Sequence, residues 1–268
     1  MKKILGLITA LMIMLQAHAS LGIAPTKIEI NANKLKTNYV TTSIEVKGDS
    51  KVPMRFRVYP GYFKITSKSE MDMQAKSDEH DISKKIRFVP SEFNVQPGKS
   101  QKVRINIAGL NSLPDGENRS VLYIEDVNSK EFNLDSGMQG IGAQLIVKTR
   151  VGVPVYVNKG KVVKKGDIES LNIIKGKDGQ YTEMKIVSTG NSKIRCQAKV
   201  MIFKDKKILQ EYSLPEFVVG DNNYYVSKAK VQQDNIKEKG EYTLRAVVSY
   251  TDENGKRQNI KQETQINI

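Results

Sequence analysis

The sequence has no tryptophan, a single cysteine and two histidines, and helical periodicity is almost absent from it. Each shortage excludes a class of chemistry. With Cys196 alone, no intramolecular disulfide can form, so stability has to come from burial. Cys196 keeps register with Ala198, Val200 and Ile202 on the apolar side of a predicted strand, where a thiol acts as a small core residue rather than a nucleophile. A zinc site needs several His or Cys ligands, and one of each, far apart in the chain, do not supply them. His18 falls in a leader segment, which restricts any His-based general base to His80, inside a charged loop. No glycine-rich phosphate loop follows a strand, and no Asp-x-Asp-x-Asp-Gly calcium loop is present. Acids such as Glu125-Asp126, or Glu79 with Asp81, read as solvated carboxylates. The sequence therefore predicts a non-enzyme that requires no cofactor and no metal.

Long hydrophobic runs are scarce as well. The one that stands out opens the chain: Lys2 and Lys3, then Ile4 to Leu15, then the small-x-small site Ala17-His18-Ala19. That pattern predicts a signal peptide over residues 1–19 and a mature chain from Ser20. No later segment is long and apolar enough to span a bilayer, so an exported product without membrane insertion is expected. Acidic residues are outnumbered, with 29 Asp and Glu against 43 Lys and Arg and a formal charge of +14. An exported protein with this balance suits anionic surface polymers, lipid headgroups or carboxylate-bearing partners. The lysines are spread through both halves, with no basic stripe interleaved with aromatics, and nucleic acid is not an expected partner.

What the sequence has in quantity is alternation. Val52, Met54, Phe56 and Val58 form one apolar stripe, with Arg55 and Arg57 facing the other way. Ile86 and Phe88 lead through Pro90 to Phe93 and Val95, then a Pro97-Gly98 turn, then Val103, Ile105 and Ile107. Around residues 121–124 the apolar face is ambiguous, since Val121 and Tyr123 alternate with Leu122 and Ile124. Residues 66–84 and 128–140 read as polar loops. Beyond Asn158 the pattern restarts, with strands predicted around 168–174, 181–187, 194–203, 207–214, 224–231, 242–250 and 258–268. At 268 residues, two domains of about 100–150 residues each are favoured. The reading is all-β: two immunoglobulin-like β-sandwich domains in tandem, over 20–157 and 158–268, with Lys159-Gly160-Lys161 as a short hinge.

The stretch 141–157 is the most distinctive. Ile141, Ala143, Leu145 and Val147 form one apolar stripe, and Arg150 lies just past it. Such a stripe serves either as a core strand of the first sandwich or as an edge strand offered to another chain.

The block from Phe88 to Asp126, together with 141–157, resembles the periplasmic pilus-assembly chaperones of the PapD-like family. The features in order are Thr26-Lys27-Ile28, Pro90 with Phe93, Gln96-Pro97-Gly98 running on to Val103-Arg104, Leu113-Pro114-Asp115, and Ser120-Val121-Leu122-Tyr123. The resemblance covers roughly residues 22–157, and the second half matches mainly in being an Ig-like domain of suitable length. It implies a boomerang of two Ig-like domains in the periplasm that caps pilus or surface-fibre subunits and delivers them, without nucleotide or metal, to an outer-membrane usher. Under this resemblance Ile141, Ala143, Leu145 and Val147 are the donor-strand side chains. Lys27 and Arg150 are the cleft cations that hold the subunit's C-terminal carboxylate. The order of Lys and Arg is reversed from the family's usual one, and Arg119 stands where the family often has an acid that locks the two domains. Cysteines do not flank the 128–140 loop, unlike the disulfide-bearing subgroup. The alternative expectation is an Ig-like cell-surface or wall-associated protein that binds through a basic face.

Overall fold

The structure is a computed structural model that describes residues 21–48, 52–128, 130–135, 142–232, 236 and 239–267. The expected signal peptide and Ile141 lie outside the described residues. Apart from three short 3-10 turns, the described chain is strand and loop. None of its helices is long and apolar enough to cross a membrane.

The first sandwich contains β1 (Leu21–Ala24), β2 (Ile28–Asn31), β3 (Tyr39–Gly48), β4 (Met54–Gly61), β7 (Ile86–Val89), β8 (Glu92–Val95), β9 (Ser100–Ala108), β10 (Gly116–Asp126) and β13 (Arg150–Lys159). Two two-residue strands, β5 (Lys64–Ile65) and β6 (Met71–Asp72), pair with each other between β4 and β7. The remaining pair is β11 (Lys130–Asp135) and β12 (Gly142–Val147). One sheet has the order β1-β3-β9-β7 and the facing sheet β2-β13-β10-β4-β8. β1 and β2 belong to different sheets, so the chain crosses between layers at Pro25. Alternate residues of the two sheets, among them Ile44, Phe56, Val103, Ile105, Leu122 and Val155, fill the space between the layers. Each such side chain stabilises the fold by about 1.5–3 kcal/mol.

The ambiguity at residues 121–124 has a physical answer, because β10 is buried on both faces. Leu122 and Ile124 enter the sandwich core. Val121 and Tyr123 face outward, where they are covered together with Phe63, Ile65 and Tyr156. The cover is the segment 62–82, which falls mostly within the predicted charged loop. Its backbone is fastened to β10, with Ile82 N donating to Arg119 O at 3.1 Å and Arg119 N to His80 O at 2.8 Å.

The second sandwich consists of β14 (Gly166–Gly176), β15 (Gly179–Ser188), β16 (Ile194–Lys204), β17 (Lys207–Ser213), β18 (Phe217–Val219), β19 (Tyr224–Lys230), β20 (Glu241–Thr251) and β21 (Arg257–Asn267). Its sheets run β14-β15-β19 and β17-β16-β20-β21, with β18 also paired to β16. All seven strands predicted beyond Asn158 are found, and β18 is added to them. Cys196 is buried in this core as expected, and burial pushes its thiol up to about 12.

The junction between the sandwiches is polar and closely tied. Arg119 Nη2 meets Asp221 Oδ1 at 2.5 Å, and Lys193 Nζ meets Glu117 Oε2 at 2.7 Å, across the two domains. Burial alone would lower the Arg119 pKa, but Asp221 and Glu117 outweigh it and leave the group firmly cationic. Arg119 is thus itself a lock, with the acid on the partner domain. The 62–82 segment adds hydrogen bonds from Val218 N to Ser69 Oγ and from Asn223 Nδ2 to Ile65 O, both at 2.6 Å. The predicted hinge is pinned as well. Asn33 exchanges two hydrogen bonds of 2.8 Å with the Gly160 backbone. Gly160 has φ of +62°, and a Cβ there would fall 1.6 Å from Asp115 Oδ1, so only glycine fits.

The stretch 141–157 proves to be two strands rather than one. β13 pairs with β10 from Glu125↔Arg150 to Gly116↔Lys159. β12 pairs with β11, from Lys130↔Val147 to Asp135↔Gly142. Between them, Asp126 N donates to Thr149 O at 2.9 Å and Val127 N to Arg55 O at 2.8 Å, so the ladder is interrupted but the hairpin continues. The expected 128–140 loop is corrected accordingly: 130–135 is a strand, because the β10 direction carries on past the sandwich.

Two outcomes are expected. Asp221→Asn leaves a buried guanidinium without an anion and costs on the order of 3 kcal/mol in urea unfolding, most of which Arg119→Met added to it restores. An unchanged urea midpoint in Asp221→Asn would refute the lock. By hydrogen exchange, amides of β12 should exchange at least about a hundredfold faster than those of β13, which lies between two strands. Equal protection would mean that β12 is covered.

Candidate functional site

Among the described residues, β12 has one backbone partner, β11. Its other edge presents unpaired N–H and C=O groups over six residues, roughly 20 Å of strand. This follows from the lengths of the neighbours. β4 pairs with β10 only as far as Asp126, and β2 pairs with β13 only over Val155 to Asn158, so neither reaches the outer part of the hairpin. Ala143, Leu145 and Val147 are alternate positions of β12, and Ile141 is outside the described residues.

At the base of this edge stands Arg150, the first residue of β13. Its side chain lies on the outer face of the sheet, opposite the core residues Val153, Val155 and Val157. The guanidinium carbon is 4.2 Å from the centre of the Tyr123 ring, and Nη1 donates to Tyr59 Oη at 3.2 Å. The Tyr59 hydroxyl in turn donates to Glu125 Oε2 at 2.7 Å. The Tyr59 pKa is raised, first by burial, while the hydrogen bond that Arg150 donates to Tyr59 raises that of Arg150. The nearby Arg55 and Arg57 are both occupied by Glu92 at 2.8 Å. Arg150 has no carboxylate at ion-pair distance among the described residues. A guanidinium seated over one ring and tethered at one nitrogen keeps its other N–H donors available for a planar anion.

Lys27 is exposed just ahead of β2, with Nζ 3.5 Å from Glu29 Oε2. Parallel pairing of Val155 with Ile28 places Lys27 beside Pro154 on the same outer face. It is four residues from Arg150, roughly 13 Å along the sheet. The two expected anchors therefore share a face without touching. Lys27 lies at the domain junction, close to where Lys193 covers Tyr156. Arg150 is six residues from Tyr156, roughly 20 Å out toward the hairpin. Lys27 thus lies by the junction, and Arg150 stands away from it.

Sequence reasoning missed Tyr59, Tyr123 and Glu125 as the setting of Arg150. Their shared face was legible in parity with Arg57, but their adjacency depends on strand register. His80 is mostly covered, with Nδ1 buried and lacking a hydrogen-bond partner, and its Nε2 is 3.9 Å from Glu79 Oε1. No group of three or more His, Cys, Asp or Glu side chains suited to a metal occurs among the described residues.

No protein-family model matches the sequence, and no curated protein matches it. Solved structures similar to it include chaperones, some of them from fimbrial or pilus systems. The CsuC chaperone, from the CsuC–CsuE complex of Acinetobacter baumannii archaic pili, is 15% identical with a TM-score of 0.46, over 91% of this chain and 98% of that one. The YadV chaperone is 8% identical with a TM-score of 0.49, over 91% and 100%. The CupB2 chaperone of Pseudomonas aeruginosa is 11% identical with a TM-score of 0.45, over 90% and 98%. The chain's own strand pairing gives the all-β architecture of two sandwiches in tandem.

Proposed function

We propose that this protein is an exported periplasmic chaperone that caps and stabilises pilus or surface-fibre subunits by lending them a strand. The observation that carries the reading is the uncovered edge of β12, held away from a rigid two-sandwich body. A subunit that lacks one strand of its own sandwich exposes a hydrophobic groove and an unpaired edge. Strand addition satisfies that edge main chain to main chain, while alternate side chains fill the groove. In this reading Ile141, Ala143, Leu145 and Val147 are the filling positions. Each backbone hydrogen bond formed contributes about 1 kcal/mol net, and burial of the apolar stripe adds to it. No nucleotide is consumed.

Lys27 and Arg150 then hold the subunit's C-terminal carboxylate between them, which fixes the register of the added strand. Their separation suits long side chains converging from two sides, with Arg150 already oriented by Tyr59 and Tyr123. Subunits leave the complex at an outer-membrane usher. The rival reading, a wall- or surface-associated binding protein, has one observation in its favour: Lys47, Lys102 and Arg104 are exposed on the outer face of the β1-β3-β9-β7 sheet. It predicts salt-sensitive binding to anionic polymer that Arg150→Ala does not alter.

The test is co-expression with a small exported β-rich protein encoded beside this chain's gene, followed by affinity capture. Leu145→Glu should abolish capture and leave the thermal unfolding of the chaperone unchanged. Lys27→Ala and Arg150→Ala should each lower recovery about tenfold or more. Wild-type recovery in both variants defeats the carboxylate anchor, and unfolding of Leu145→Glu defeats the donor strand.

A further inference from the structure

Where the two sandwiches meet, a cavity of about 460 Å³ remains open. One wall belongs to β2 and β13, with Glu29 and Asn158. The other belongs to β16, β20 and β21, with Arg195, Ser249 and Arg257, and Lys164 contributes from the connecting segment. The size is that of a small-molecule pocket rather than a packing defect.

The charges around it are unevenly satisfied. Lys193 is fully engaged: it pairs with Glu117 at 2.7 Å, lies 3.5 Å from Glu29 and sits 3.1 Å above the Tyr156 ring. Arg195 is held by Glu216 at 2.9 Å. Arg257 has only a hydrogen bond to Ser249 Oγ, at 3.1 Å, and neither it nor Lys164 has a carboxylate at ion-pair distance among the described residues. The first wall offers the complementary deficit. Asn158 Oδ1 is buried and receives no hydrogen bond, and the Glu29 carboxylate lies on the same wall. A buried acceptor without a donor is costly, so a ligand that supplies one gains affinity by it.

We infer that the junction cavity is a binding site for a small hydroxycarboxylate, such as a sugar acid. The carboxylate lies against Arg257 and Lys164, and the hydroxyls donate to Asn158 Oδ1 and Glu29. A simple anion without donors satisfies the cationic wall alone and meets Glu29 with like charge. A neutral sugar satisfies the acceptors and leaves Arg257 uncompensated. Since the walls come from both domains, the bound ligand stabilises their mutual arrangement and raises the unfolding temperature by linkage. The site is separate from β12 and does not depend on subunit capture.

The experiment is calorimetric titration and thermal unfolding of the whole mature chain with glucuronate, gluconate, glucose and sulfate at matched ionic strength. Glucuronate is expected to give saturable heat and a higher unfolding temperature, while glucose and sulfate give neither. Gluconate separates the sources, binding as well if an open-chain hydroxy acid suffices and not at all if the ring is required. Arg257→Ala and Asn158→Leu should each weaken the binding by about tenfold, the loss of one charge-assisted or buried hydrogen bond, with the ligand-free unfolding temperature unchanged. Leu145→Glu should bind as the wild type does. The site is refuted if neither acid binds at about 10 mM, if sulfate matches glucuronate, or if both cavity variants bind normally.

Discussion

The arrangement depends on two charged pairs buried between the sandwiches, Arg119 with Asp221 and Lys193 with Glu117. Removing charges from water carries a desolvation cost that good geometry only repays in part, so such pairs add little to net stability compared with apolar packing. Their effect is on specificity. A greasy interface tolerates sliding, whereas an ion pair at 2.5 Å or 2.7 Å tolerates very little. Asn33 on Gly160, and the 62–82 segment on Val218 and Asn223, then close the remaining freedom. The second domain is in this way registered against the outer face of the first domain's larger sheet. That face carries Lys27, Arg150 and the aromatic residues around it.

The hairpin of β10 to β13 connects this rigid body to the exposed edge. Its inner half is bound on every side: β10 lies between β13 and β4 and is covered on both faces. Its outer half has lost those neighbours. The change occurs within a few residues, at Asp126–Asn128 on one arm and Lys148–Thr149 on the other. Arg150 and Glu125 stand opposite each other at that boundary, joined through the Tyr59 hydroxyl. The orienting contacts of Arg150 thus come from the protected half, while its remaining donors face the unprotected one.

Much of the fold was legible in the sequence, because alternation with period two maps directly onto strands whose one face is buried. The strands holding Ile44, Phe56, Val103 and Leu244 are of this kind, and the fully buried Cys196 follows from the same parity. Legibility failed where tertiary contacts change what a face meets. The run from Val121 to Ile124 has no polar side because the 62–82 segment covers one of its faces, and that segment looked like a solvated loop from its charges. Residues 130–135 looked like loop because Phe132 and Leu134 make only a short apolar alternation among polar and charged neighbours. For the candidate site, Lys27 and Arg150 were named from residue order, but their spacing is set by the parallel register of β2 on β13. The Tyr59 and Tyr123 cradle depends on the pairing of β4 with β10. Arg119 was noted as a missing acid because its partner, Asp221, is more than a hundred residues away in sequence.

The rooting of the hairpin has a mechanical consequence. β10 and β13 are matched over ten residue pairs that run in line with β11 and β12. A partner drawn away along the direction of β12 therefore loads this ladder in shear, with its hydrogen bonds resisting together. One peeled away sideways loads the bonds of the new edge singly, from one end. The same strand is thus stiff against being pulled out of its own protein and compliant toward being unzipped from a guest. A load-bearing root and a releasable edge are built from one continuous hairpin.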